Sequence, residues 1–105
     1  MLYDSNALRY YPNMIISYKC KDTERLANGY RVRHFINIER TALRKLHQLQ
    51  VSERLDDLKV PPGSHLELLK SDRNGQFSIR INDQFRICFR WTTIGAEDVE
   101  IVDYH

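Results

Sequence analysis

Five cations crowd into one stretch of the chain: Lys70, Arg73, Arg80, Arg86 and Arg90, against only Asp72 and Asp83 in the same interval. After Trp91 the balance reverses, with Glu97, Asp98, Glu100 and Asp103 and no Lys or Arg, and the sequence closes on Val102-Asp103-Tyr104-His105. A basic centre beside an acidic tail fits a polyanion held at one place; it equally fits an ordinary solvated surface. The least demanding chemistry open to these side chains is metal-free cleavage of RNA, in which a ribose 2′-OH attacks its own phosphate. That reaction needs cations for the charge gathering on the phosphorane, a group to take the 2′ proton and a group to protonate the leaving 5′ oxygen. Arg80, Arg86, Lys70 and Arg73 are the candidate cations; His105, His65, Asp103, Glu67 and Tyr104 are the candidates for proton transfer. A histidine titrates near neutrality, but by itself a C-terminal His is an ordinary frayed end.

Neither a metal nor a cofactor is expected. Cys20 and Cys88 form no CxxC unit, the scattered histidines have no zinc-finger spacing, and Gly75 and Gly95 are isolated turn glycines outside any phosphate-binding loop. Reduced, non-ligand thiols are the reading. The whole chain, 105 residues with 42% apolar, 29% charged and a formal net charge of +2, fits one small domain. It shows neither a membrane-spanning apolar run nor a secretory leader, so a soluble cytoplasmic protein without membrane contact is expected.

The elements that must position the candidates follow from patterning. Residues 1–13 hold no sustained period and close at Pro12, so they are read as an N-terminal extension, with 14–105 as the single domain. Met14 opens Met14-Ile15-Ile16-Ser17-Tyr18, a first strand and a second place for translation to start. A short helix is expected from Asp22, as N-cap, to Gly29, as C-terminal stop. Phe35, Ile38, Ala42, Leu46 and Leu49 fall on one helical stripe, which predicts the main helix over 35–50 with Arg40, Arg44 and Lys45 turned to water. Another helical turn is expected over Val51–Leu58, ended by Pro61-Pro62-Gly63 because proline lacks an N–H. Three strands are expected after it: Gln76–Ile81, Phe85–Trp91 and Val99–Val102.

Register decides what the two arginines do. A two-residue turn at Asn82-Asp83 would pair Arg80 with Phe85 and mix the faces, whereas a three-residue turn at Asn82-Asp83-Gln84 pairs Ile81 with Phe85 and Ile79 with Ile87. The second keeps the core face apolar and sets Arg80 opposite Arg86 on the other face, where like charges cost stability. A shared phosphate would resolve that repulsion; so would two separate carboxylates. On this pattern Arg86 is a solvated residue anchoring no core, and its loss should leave the fold unharmed or slightly more stable.

The run from Gly63 to Trp91, with Pro61-Pro62-Gly63 at its entry, Ser78-Ile79-Arg80-Ile81-Asn82-Asp83-Gln84-Phe85-Arg86 at its centre and the closing Asp103-Tyr104-His105, resembles the HigB branch of the RelE toxin superfamily. The resemblance reaches back to Ile15. It implies an α+β fold in which two N-terminal helices pack on one face of a curved, mainly antiparallel sheet. It implies an endoribonuclease, an mRNA interferase that cuts mRNA in the ribosomal A site. Implied partners are a HigA-like helix-turn-helix antitoxin, the ribosome and mRNA, with operator DNA bound only through the antitoxin complex. Carried over by position, Arg86 should bind the scissile phosphate, Arg80 and Lys70 should assist, and Asp103, Tyr104 and His105 should form the terminal part of the site. This chain departs from the pattern at Glu67, where several relatives have a histidine three residues before the matching lysine; His65 lies two residues further back, so the general base is open between them.

If Val99 and Ile101 face the core, strict alternation puts Tyr104 on the arginine face and Asp103 and His105 opposite, so the tail must bend if His105 acts beside Arg86. Two other readings are open: a ParE-like toxin that shares the fold but inhibits a topoisomerase without ribonuclease residues, against which the arginine pair and Asp103-Tyr104-His105 argue, and a non-catalytic RNA-binding surface of Arg80, Arg86, Phe85 and Tyr104. A chain starting at Met14 is expected to fold and retain its activity. A fall in melting temperature beyond about 4 to 8 °C, the shift for roughly 1 kcal/mol in a domain of this size, would show that residues 1–13 pack.

Overall fold

The computed structural model describes residues 14–60 and 62–104; the expectations for 1–13, Pro61 and His105 lie outside them. The regular elements are β1 (Met14–Ile15), α1 (Lys21–Ala27), α2 (Glu39–Val51), β2 (Glu67–Leu68), β3 (Phe77–Arg80), β4 (Phe85–Trp91) and β5 (Gly95–Asp103). They build an α+β domain around one five-stranded sheet in the order β1-β5-β4-β3-β2. β2 to β5 run antiparallel, and β1 joins β5 in parallel at the edge.

Both helices are tied to the sheet through a single apolar core. Leu26 from α1, Ala42, Leu46 and Leu49 from α2, and Ile79, Ile87, Phe89, Val99 and Ile101 from the strands belong to one buried cluster. Thr23 adds a polar link, its hydroxyl accepting the Ile101 N–H at 3.0 Å. α1 has only 7 residues, too few to persist unless packed. It begins at Lys21 with Cys20 at the N-cap and no side-chain cap, so Asp22 does not cap it, while Gly29 ends it in the left-handed region, φ 95°.

The main helix is shorter than its apolar stripe. Residues Arg33–Ile38 form a 3₁₀ segment, and α-helix starts only at Glu39. Phe35 and Ile38 stay buried because a three-residue repeat also keeps them on one side. The turn expected over Val51–Leu58 is a 3₁₀ segment at Leu55–Lys59, started by Asp57, whose carboxylate accepts the N–H groups of Glu53 and Arg54, each at 3.0 Å. Lys45 departs from expectation. It is buried, not solvated, because the chain after α2 folds back along the helix flank: Gln48 donates to the Val60 carbonyl, and the Lys45 ammonium donates to Ser64 Oγ at 2.5 Å.

The three-residue turn holds. Ile79 pairs with Ile87, Arg80 with Arg86, and the Ile81 N–H reaches the Phe85 carbonyl at 2.9 Å. Asn82 fixes it, Oδ1 accepting the N–H groups of Gln84 at 2.8 Å and Phe85 at 2.7 Å. β5 starts earlier than its apolar alternation suggests. Pairing with β4 slips by one residue between Cys88 and Arg90, and Asp98 there takes a left-handed φ of 54°. That bulge absorbs the adjacent polar pair Glu97-Asp98, which breaks the period of two.

Asn82→Ala is expected to cost about 1 kcal/mol and lower the melting temperature by about 4 to 8 °C, whereas Asn82→Asp, which keeps the acceptor, should sit near wild type. Thermal unfolding of the two variants checks this; an Asn82→Ala chain that melts with the wild type removes the side chain from the account of register.

Candidate active site

The site is laid out by cross-strand rows. One row runs Glu67, Ser78, Cys88 and Glu100 across β2, β3, β4 and β5; the next runs Arg80, Arg86 and Val102. Arg86, in the second row, turns its side chain towards the first and is only 13% exposed. Its Nε donates to Ser78 Oγ at 2.7 Å, one terminal nitrogen donates to the His65 carbonyl at 2.7 Å, and the same nitrogen is 3.6 Å from the Glu67 carboxylate. Arg80 turns the other way, to the Asn82 carbonyl at 3.2 Å and to the Asp83 carboxylate. The two guanidiniums stand directly opposite in register, yet each is balanced by its own carboxylate.

His65, Glu67, Arg80, Asn82, Asp83, Arg86 and Tyr104 line an open concavity of about 430 Å³, within the usual size of small-molecule sites. His65 has a left-handed φ of 47°, a strained conformation for a residue with a side chain. Tyr104 is fixed by its N–H to the Gln84 carbonyl at 2.7 Å. Burial, then the neighbouring Cys88 thiol that hydrogen-bonds its hydroxyl, push the phenol above its ordinary value, against Arg73 and Arg86. Tyr104 is therefore a protonated donor at neutral pH. Burial also pushes the Cys88 thiol up, which keeps it inert.

Other candidates fall outside this concavity. Arg73 donates to Glu100 and to Gln76, each at 3.1 Å, and Lys70 is exposed just before the Ser71–Arg73 turn. Asp103 pairs across to Phe85 and accepts a hydrogen bond from the Gln84 side chain at 3.0 Å. Tyr104 thus joins the arginines while Asp103 does not line the pocket. Ser78 was not singled out from sequence; the signal for it is its diagonal position beside Arg86 on the polar face. A second concavity of about 300 Å³, lined by Ile15, Tyr18, Leu43 and Leu46 among others, offers no arginine for a phosphate. Among the described residues no group of three or more His, Cys, Asp and Glu is placed to hold a metal ion, and no helix is long and apolar enough to cross a membrane.

Comparison with known proteins places these observations. Residues 18–105 match a family model described as the RelE-like toxin of type II toxin-antitoxin system HigB. Toxin HigB-1 of Vibrio cholerae is 40% identical over 55 residues, covering 52% of this chain and 58% of that protein. An uncharacterised protein of Haemophilus influenzae is 40% identical over 55 residues, covering 52% of this chain and 54% of that protein. The matched segment therefore spans just over half the length of these curated relatives. In fold, the chain resembles a solved YoeB-YefM complex from Staphylococcus aureus, with a TM-score of 0.53 at 18% identity, covering 89% of this chain and 97% of that chain.

The contacts of Arg86 overturn the expectation that its removal leaves the fold unharmed. Arg86→Ala strands the fully buried Ser78 hydroxyl, at a cost of about 1 to 3 kcal/mol, while the exposed His65 carbonyl can turn to water. Relief of the like-charge pair returns only about 0.2 to 1 kcal/mol. The exposed Glu67 end of the ion pair adds little. The expected result in thermal unfolding is a lower melting temperature for Arg86→Ala, partly restored by adding Ser78→Ala; an unchanged or raised value would reinstate a solvated arginine.

Proposed function

The chain belongs to the HigB-like family of RelE-like toxins of type II toxin–antitoxin systems, and on that premise we propose that it is a metal-free endoribonuclease cutting mRNA in the ribosomal A site. The observation that carries the reading is the seating of Arg86. It is nearly buried, its direction is fixed by Ser78 and His65, and its accessible end faces a concavity that also holds Glu67, Arg80 and Tyr104.

A scissile phosphate entering there exchanges places with two carboxylates. Its oxygens take the guanidinium positions that Glu67 holds on Arg86 and Asp83 holds on Arg80. A guanidinium offers phosphate a planar fork of donors, which suits both arginines to this role. Glu67, released beside the phosphate, accepts the 2′ proton as the 2′ oxygen bonds to phosphorus. The P–O5′ bond breaks, and the 5′ oxygen takes a proton from Tyr104, which lines the concavity, or from His105 next in sequence. The products are a 2′,3′-cyclic phosphate and a 5′-hydroxyl. The Tyr104 ring also offers a face on which a splayed base can stack. Lys70 and Arg73, outside the concavity, serve flanking phosphates. Asp103 supports the tail through Gln84. Between bouts of activity a HigA-like helix-turn-helix antitoxin holds the protein inactive, and operator DNA is bound through that complex.

One small concavity gives little hold on a flexible strand, so the ribosome must supply the in-line geometry. Translated mRNA on programmed ribosomes is expected to be cut equally by untreated protein and by protein stripped with a chelator that is removed before the ribosomes are added, and naked transcript poorly. Arg86→Ala should lower the single-turnover rate about 10²- to 10³-fold, the loss of about 2.7 to 4 kcal/mol of transition-state stabilisation, with Arg86→Lys in between. Equal cleavage of naked and translated RNA, or wild-type rates for a folded Arg86→Ala, would overturn the proposal. Toxicity through topoisomerase inhibition without RNA cleavage would favour the ParE-like reading instead.

A further inference from the structure

Lys45 is 8% exposed on α2, and its ammonium donates to Ser64 Oγ at 2.5 Å, with Ser64 itself fully buried. No carboxylate pairs with Lys45 among the described residues. Burial, with Arg44 adding, pushes the ammonium below its ordinary value, so the charge is held there at a cost. A methionine of similar length would fill the same space without that cost. Packing alone therefore does not account for a lysine at this position.

What it touches does. Ser64 ends a single 3₁₀ turn, Pro62–Ser64, and the next residue is His65 in the left-handed region, whose carbonyl accepts the Arg86 guanidinium at 2.7 Å. A strained residue keeps such a conformation only where both flanks are restrained. On the far side β2 supplies the restraint, Glu67 pairing with Ser78. On the near side the buried restraint is Lys45 on Ser64. The link between Gln48 and the Val60 carbonyl holds the preceding segment separately, so releasing Ser64 frees the turn without freeing the whole loop.

We propose that Lys45 is a positioning residue: acting through the Ser64 hydroxyl, it holds the turn that aims the His65 carbonyl and the Glu67 carboxylate at Arg86. The helical layer thereby sets the direction of the phosphate-binding cation from behind. The consequence for turnover rests on the nuclease reading above; the consequence for geometry does not.

The test uses full-length Lys45→Met and Ser64→Ala chains, and the double variant, which leaves neither partner buried and unpaired. By NMR, the wild type should show the strong intraresidue Hα–HN cross-peak of a left-handed His65 and slowly exchanging Arg86 side-chain protons, assigned by their loss in Arg86→Ala. All three variants should lose both signatures; the double variant should melt close to wild type or higher, while each single variant, which strands one buried partner, should melt lower. On programmed ribosomes kcat should fall about tenfold to a hundredfold, the scale of a reacting group displaced by roughly 1 Å, with KM little changed. The double variant should be no worse than either single, since both act on one link. Folded variants that keep the His65 and Arg86 signatures overturn the proposal. If the signatures are lost but the wild type itself cuts no mRNA, the nuclease reading fails and the positioning role stands.

Discussion

The placement of Arg80 directly opposite Arg86 across β3 and β4 constrains most of what surrounds it. Like charges in adjacent strands repel, and the sheet cannot shift to relieve them, because a one-residue slip would carry Ile79, Ile87 and Phe89 out of the core. The repulsion has to be answered by side chains. Asp83 answers it for Arg80 from within the turn, and Glu67, Ser78 and the His65 carbonyl answer it for Arg86. The polar face is therefore built around cations whose charge is balanced but exchangeable: the carboxylate ends are exposed, while the hydroxyl and carbonyl that set the direction of Arg86 are fixed.

That division separates orientation from occupancy. The bond to the buried Ser78 hydroxyl fixes the guanidinium independently of its open end, so in the proposed reaction a phosphate replaces Glu67 without the arginine reorganising. A cation already aimed needs no reorientation as negative charge develops on a phosphate in front of it, which is how fixed donors lower a barrier. Cys88 and Tyr104 extend the same logic. The thiol is fully buried between Ser78 and Glu100 in its row, and burial first, then this thiol, push the Tyr104 phenol above its ordinary value.

The helical half contributes more than a cover for the apolar core. α2 carries Leu46 and Leu49 into the core on one side and Lys45 against Ser64 on another, so one helix touches both the packed interior and the turn before β2. His65 holds its left-handed backbone between the Lys45–Ser64 bond and the pairing of β2 at Glu67. Strain of this kind is kept only where tertiary contacts over-determine it, and here it sits one bond from the cation on which the proposed chemistry depends.

The apolar alternation around a short turn is enough to set the β3–β4 register from sequence, because of the two- and three-residue turns only the latter puts Ile79 and Ile81 opposite Ile87 and Phe85 on one apolar face. The same rule put Tyr104 with the arginines and Asp103 away from the pocket, and the helical stripe located the buried side of α2. Sequence could not show where Arg80 and Arg86 would point, since two separate carboxylates and one shared phosphate satisfy the same pattern. Nor could it show that Lys45 is buried, that Ser78 seats Arg86, or that β5 carries a bulge at Asp98. Period and propensity report one element at a time, whereas these depend on a loop folding along a helix flank, a diagonal contact between strands and a slip between two ladders. Each joins residues distant in the chain, and such contacts exist only once the tertiary structure has formed.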